Sequence, residues 1–319
     1  MRNRPASTLR RPLAASVLVG AVGLLASASP AMAGFKDCST FLGIPAPAPI
    51  LQGNIGSPIE GMVVDRSGRL WVTDLLGGKI IRFDRPGASG TVVATIPGGG
   101  GGALELLPDG TVIVGSGADP RVLFGDVLKP GAISTVDPVT GTLTPLAKGF
   151  SAANGFAVTR DGTIFATNDF ASLIGKRAPD GTITTKWASL PSANGAALDK
   201  AQKYLYVSRT FFAPGVTRIP IDNPSKPERV LTLQGTDVFA APDGLTLDSK
   251  DRPIVPTNNA GEIIRIDAPE KACRLAKGLP NSSVVAYGKG SVGFSKGRLF
   301  RAGFDGKVYE VPAAFDPGA

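Results

Sequence analysis

The sequence predicts an all-β chain folded as a six-bladed β-propeller with four-stranded antiparallel blades. Three observations predict it. Glycine and proline are abundant, at 41 and 27 of 319 residues, and helix-period apolar patterns are scarce after residue 34. Short β-rich runs alternate with polar turns. One unit also recurs along the chain at spacings of about 40–52 residues, the period of a propeller blade.

The unit opens with a variable residue, usually followed by Gly, then an apolar run, a polar turn and a second apolar run. It reads EGMVVDRSGRLWVTD at 60–74, GALELLPDGTVIVG at 102–115, NGFAVTRDGTIFATN at 154–168, NGAALDKAQKYLYVS at 194–208 and DGLTLDSKDRPIVPT at 243–257, and a shorter VGFSKGRLFRA starts at Val292. A third strand follows in most units, as in GKIIRFD at 78–84, GAISTVD at 131–137 and GEIIRID at 261–267. A fourth closes them, as in TVVATI at 91–96. The sixth unit ends one strand short. The expected donor is the N-terminal segment around Phe41–Leu51, whose Pro45, Pro47 and Pro49 suit an outer edge where a missing N–H costs little.

The first 33 residues are expected to be a signal peptide, leaving 34–319 as a single domain. Arg2, Arg4, Arg10 and Arg11 precede an uncharged apolar run from Leu13 to Ala28, and Ala31-Met32-Ala33 is a small-x-small cleavage pattern. The expected destination is outside the cell, or the envelope and periplasm, with no stable membrane insertion after cleavage. The formal net charge is +8; residues 1–33 hold four of the 34 Lys and Arg and none of the 26 Asp and Glu, which leaves +4. No basic cluster stands out, so no nucleic-acid partner is expected. A monomer with a small-molecule substrate is. In an oxidising compartment Cys38 and Cys273 read as one disulfide, with two buried thiols as the alternative.

Histidine is absent. This excludes Ser-His-Asp and Cys-His nucleophile systems and His-ligated zinc. Catalysis must rest on carboxylates, Lys, Tyr, Ser or a cation held by oxygen.

In a propeller the first strand of each blade lines the central channel, so the first residue of each repeat points to one spot on the axis. These positions hold Glu60, Gly102, Asn154, Asn194, Asp243 and a residue near Val292. Two carboxylates and two amides are the donor set of a hard divalent cation, Ca²⁺ before the more compact Mg²⁺, although other divalent ions are open. The alternative is a polar, hydrated channel without metal. The glycines from Gly98 to Gly102 enter the second repeat either as a linker or as backbone donors for an oxyanion. They lack the Lys and strand–helix context of a phosphate loop.

EGMVVDRSGRLWVTDLLGGKIIRFD, SANGAALDKAQKYLYVSRT and APDGLTLDSKDRPIVPTNNAGEIIRID resemble segments of the gluconolactonase / regucalcin / luciferin-regenerating enzyme family, and the likeness runs from about Pro58 to Asp267. The resemblance implies Glu60, Asn194 and Asp243 as metal ligands, with Asn154 as a further polar ligand or substrate contact. It also implies a Ca²⁺-dependent hydrolase that opens a lactone or ester, with Asp243 as candidate base or as ligand only. Where sugar-lactone members carry an Arg, this chain has Ala152. Leu75, Phe170, Phe211, Phe212 and Phe239 are expected on the mouth loops and favour a more apolar substrate, with Asn168 and Arg209 as polar contacts. Two other outcomes stay open: a non-catalytic binding propeller with a structural metal, and a lyase or isomerase on the same scaffold.

Overall fold

The computed structural model describes residues 34–38 and 46–319; the expected signal peptide and Pro45 lie outside the described residues. Six four-stranded antiparallel sheets form the ring. Blade one comprises β2 (Ile59–Val64), β3 (Leu70–Asp74), β4 (Lys79–Phe83) and β5 (Thr91–Thr95). Blade two comprises β6 (Leu104–Leu106), β7 (Val112–Ser116), β8 (Gly131–Val136) and β9 (Leu143–Phe150). Blade three runs from β10 (Phe156–Val158) through β11 (Ile164–Ala166) and β12 (Leu173–Arg177) to β13 (Ile183–Ser189). Blade four holds β14 (Ala193–Leu198), β15 (Tyr204–Arg209), β16 (Gly215–Pro220) and β17 (Glu228–Thr232). Blade five holds β18 (Thr246–Leu247), β19 (Pro253–Thr257), β20 (Glu262–Ala268) and β21 (Lys271–Ala276).

Burial along each blade follows from its place in the ring. The inner strands are covered on both faces, and β2 and β3 are buried at every residue, so they read as continuous apolar runs. The outer strand β13 alternates half-buried and exposed residues, the period-2 pattern of a sheet with one wet face. Adjacent blades meet through apolar clusters. Val63, Trp71 and Ile80 of blade one pack on Leu104, Val112 and Val114 of blade two, and Ile59, Leu70 and Phe83 pack on Phe294, Phe300 and Val308 of blade six. Each such side chain removed from water contributes roughly 1.5–3 kcal/mol, so the ring is held at its seams.

Blade six corrects the expected unit. Its inner strand is β22 (Ser282–Tyr287), followed by β23 (Leu299–Gly303) and β24 (Lys307–Glu310). Val292 lies on a loop and is 69% exposed. Ser282 pairs with Gly303 as Ile59 pairs with Asp74, which makes Ser283 the sixth axial residue. The fourth strand does come from the N-terminal side, but it is β1 (Ile50–Asn54), paired antiparallel to β24 and lying beyond the prolines. Pro47 and Pro49 precede it as irregular chain, because a residue without an N–H cannot extend the ladder.

Cys38 and Cys273 form a disulfide. Around it the N-terminal segment lies along β21. Cys38 N–H donates to the Arg274 carbonyl at 2.9 Å, Arg274 N–H donates to the Lys36 carbonyl at 2.8 Å, and Arg274 pairs with Asp37 at 2.7 Å. The segment therefore holds blade five before it completes blade six. A disulfide is the mark of chains that mature outside the reducing cytosol. Among the described residues no helix is long and apolar enough to cross a membrane.

Candidate metal centre and its cavity

Four expected axial residues converge at one mouth of the channel. Glu60, Asn154, Asn194 and Asp243 all line one cavity of about 370 Å³. Hydroxyls of the second strands fix the backbone beneath them. Thr167 accepts from Gly155 N–H at 3.0 Å and donates to the Asn194 carbonyl, and Ser208 donates to the Asp243 carbonyl. Thr73 accepts from Gly61 N–H at 2.8 Å and donates to the Gly102 carbonyl at 2.7 Å. Blade two contributes no side chain here, because a Cβ on Gly102 would sit 2.2 Å from the Ala153 carbonyl oxygen. Ser283 turns its hydroxyl to the Ile59 carbonyl at 2.6 Å and so serves the seam between blades six and one.

The side chains are poorly satisfied for their burial. Asn154 Nδ2 donates to Glu60 Oε1 at 2.9 Å, but Glu60 Oε2 is buried with no hydrogen-bond partner. Asn194 Nδ2 donates to Thr210 Oγ1 at 2.9 Å. Asp243 Oδ1 accepts from Gly244 N–H at 3.0 Å, and Oδ2 accepts a long bond from Asn258 Nδ2 at 3.4 Å. A third acid, Asp169, lines the same cavity and is buried. Burial and then the charges of Asp243 and Asp169 push the Glu60 carboxyl well above the usual range. Burial and then the Asp169 charge do the same to Asp243, while burial raises Asp169 to about 7.

Three buried acids facing one another without a cation are mutually destabilising, and an orphaned carboxylate oxygen is costly. A divalent cation would relieve both. All four axial side chains offer oxygen, and with both Asn Nδ2 groups already donating, their carbonyl oxygens are the free donors. Among the described residues no three Asp, Glu, Cys or His groups form a metal site by themselves. The set therefore has to include the amides, and the residues fit Ca²⁺ on those terms.

The signs of these shifts give a pH dependence. An acid whose folded pKa is raised stabilises the metal-free fold at low pH. That contribution is lost as pH rises from the unfolded value through the folded one, about 7 for Asp169. Cation binding needs the ionised forms, so its dependence runs the other way. Calorimetric titration should find Ca²⁺ affinity about tenfold or more weaker at pH 5.5 than at pH 8, with protons released on binding.

Phe170, Phe211 and Phe212 line the cavity with Leu75 and Ala152, and the Phe170 and Phe211 rings stack at 5.2 Å. The two polar contacts expected beside them belong elsewhere. Asn168 is fully buried in the wall, where Nδ2 donates to the Val122 carbonyl at 3.0 Å and Ser151 Oγ at 2.9 Å, and Oδ1 accepts from Phe170 N–H at 3.0 Å. Arg209 donates to the Pro191 carbonyl at 3.1 Å and is absent from the lining, as is the half-exposed Phe239. The physical reason is alternation: near the end of a strand successive side chains face opposite ways, so the next residues, Asp169 and Thr210, reach the cavity. Sequence reasoning missed Asp169, Thr210 and Asn258. Their signal is a second repeat phase, because the second strands also end at this mouth, in WVTD, FATND, VSRT and VPTNN.

Fold and cavity together define a six-bladed propeller with an acidic, oxygen-lined pocket at one axial mouth. The sequence matches no family model and no curated protein sequence. Solved structures similar to it include a gluconolactonase from Xanthomonas campestris, with TM-score 0.67, 16% identity and coverage of 84% of this chain and 98% of that one. Regucalcin from Agrobacterium tumefaciens, described as a calcium-binding protein, is similar with TM-score 0.63, 18% identity and coverage of 84% and 94%. A virginiamycin B lyase from Staphylococcus aureus is similar with TM-score 0.55, 14% identity and coverage of 81% of each chain. At these identities the likeness defines the fold, and it includes the group that the three sequence segments resemble.

Proposed function

We propose that this chain is an exported hydrolase that opens a lactone or ester at a divalent-cation site held by Glu60, Asn154, Asn194 and Asp243. The observation that carries the reading is the buried, unpartnered Glu60 Oε2 in a pocket shared with Asp243 and Asp169. When bound, a cation such as Ca²⁺ would polarise the substrate carbonyl and balance charge developing on its oxygen.

The chain's own residues account for the remaining requirements. Phe170, Phe211, Phe212 and Leu75 give the substrate an apolar wall and keep water low in the pocket. Ala152 also lines it and offers no charge to a sugar acid, so the reading favours an apolar lactone or aryl ester. Asp169 is the better candidate to take the proton of the attacking water at its carboxylate. It lines the cavity with Glu60 and Asp243 but is not one of the four axial residues, so it is free of the ligand role that Asp243 fills. Of the two roles the sequence leaves open for Asp243, base or ligand only, this reading takes the second and gives the base to Asp169.

The discriminating experiment is turnover of a panel of apolar lactones and aryl esters, with and without a chelator. Hydrolysis lost on chelation and restored by Ca²⁺ is the expected result. Ca²⁺ binding without turnover would favour the non-catalytic propeller. Double-bond products without water uptake would favour a lyase, the activity named for one similar structure.

A further inference from the structure

An asparagine ligand can fail by half a turn of its amide. Oδ1 and Nδ2 have nearly the same shape, and only Oδ1 can serve a cation. Packing cannot tell the two apart, so the choice falls to their hydrogen-bond partners. Asn194 is buried on the axis, and its Nδ2 donates to Thr210 Oγ1 at 2.9 Å. Thr210 is also buried and lines the same cavity.

The Thr210 hydroxyl is already committed. Its Oγ1 donates to the Pro242 carbonyl at 2.7 Å. A hydroxyl has one proton and a carbonyl can only accept, so the proton belongs to Pro242. What Oγ1 turns to Asn194 is a lone pair, which accepts from Nδ2 and has nothing to give Oδ1. An ionised Asp243 carboxylate also only accepts, so its contact with the Asn194 amide falls to Nδ2 as well. Polarity is thus ordered from Pro242 through Thr210 to Asn194, and Oδ1 is left without a partner among the described residues. The fold supplies the relay. Thr210 follows β15 two residues after Ser208, and its N–H donates to the Ser192 carbonyl at 3.2 Å. Ser208 and Thr210 hold the carbonyls of Asp243 and Pro242, consecutive residues at the start of blade five. One short stretch of blade four therefore sets the side chain of its own axial residue and the backbone of the next.

We propose that Thr210 is a positioning residue of the cation site, and that its hydroxyl selects the face of the Asn194 amide that meets the cation. Thr210 is not one of the four ligands and acts through Asn194. The inference rests on the cation reading above and holds whatever chemistry the pocket performs. Partners of this kind, one bond behind a ligand, typically govern metal affinity by orienting the donor atom.

The test is calorimetric titration of Ca²⁺ into the full-length protein and its T210V, T210S, N194D and N194D/T210V variants, each checked for the parental circular dichroism spectrum. T210V keeps the shape of the side chain and removes the hydroxyl. The Asn194 amide is then free to turn, and Ca²⁺ affinity is expected to fall about tenfold or more. T210S restores the hydroxyl and should bind within about threefold of the parent. N194D offers oxygen on both sides of the group and needs no face selected, so adding T210V in that background should cost less than about threefold. Parental affinity in T210V would overturn the proposal. So would an equal loss in both backgrounds, because the hydroxyl would then support the site without choosing the amide face. A parent that binds no Ca²⁺ would remove the cation reading and this inference with it, whereas equal binding by the parent and T210V would leave that reading standing and remove the inference alone.

Discussion

Replacing Glu60 with Gln, or Asp243 with Asn, is expected to abolish the Ca²⁺-dependent rise in melting temperature and to lower kcat/KM by about 100-fold or more. That corresponds to the several kcal/mol that a positioned cation supplies to a developing oxyanion. The same substitutions should raise the stability of the metal-free protein. Glu60 and Asp243 are buried acids whose ionised forms are disfavoured by burial and by neighbouring charge, and Glu60 Oε2 has no partner to lose. A neutral amide of the same shape removes that repulsion. Lower activity with higher metal-free stability is the signature of a site built for a charge it does not itself contain. D169N separates the roles: it should cost about 100-fold or more in kcat while leaving the Ca²⁺-dependent melting shift in place, as expected of a proton acceptor that is not a ligand. A D169N protein with parental kcat would return the base to Asp243 or remove general-base chemistry from the account.

The second large effect is on the fold. Cys38 and Cys273 are 235 residues apart, so their bond closes a loop spanning most of the ring. In the chain-entropy account such a closure contributes about 5 kcal/mol. The C38S/C273S protein should melt on the order of 10 °C lower, given the 2–4 °C per kcal/mol typical of domains of this size. Its kcat/KM should be unchanged, because the bond lies on the outer strand of blade five and the site lies on the axis. A parental melting temperature would show that the pairing of β1 with β24 alone closes the ring. An activity loss matching the stability loss would mean that the ring loosens as a whole.

The ring was legible because its inner strands are buried on both faces and its turns carry polar punctuation, which together make the repeat audible in composition alone. Blade six was harder. Its inner strand, SSVVAY, lacks the polar-residue–Gly opening of the other units, and the loop around Val292 imitates that opening more closely than the true strand does. The four axial side chains could be placed from phase because each begins the same structural unit. Asp169, Thr210 and Asn258 lie in another phase, past the second strands, which end at the same mouth without the shared polar-residue–Gly opening of the first strands. Asn168 and Arg209 missed the cavity by one residue, the smallest error that sends a strand side chain to the opposite face.

Glu60, Asn154, Asn194 and Asp243 are expected to hold a divalent cation at the channel mouth. A crystal structure of the protein grown with Ca²⁺ tests it most directly. The expected result is one strong density peak within about 2.3–2.6 Å of an oxygen from each of these four side chains, Glu60 Oε2 among them. A pocket holding only water at saturating Ca²⁺, or a cation bound by other residues, would contradict it.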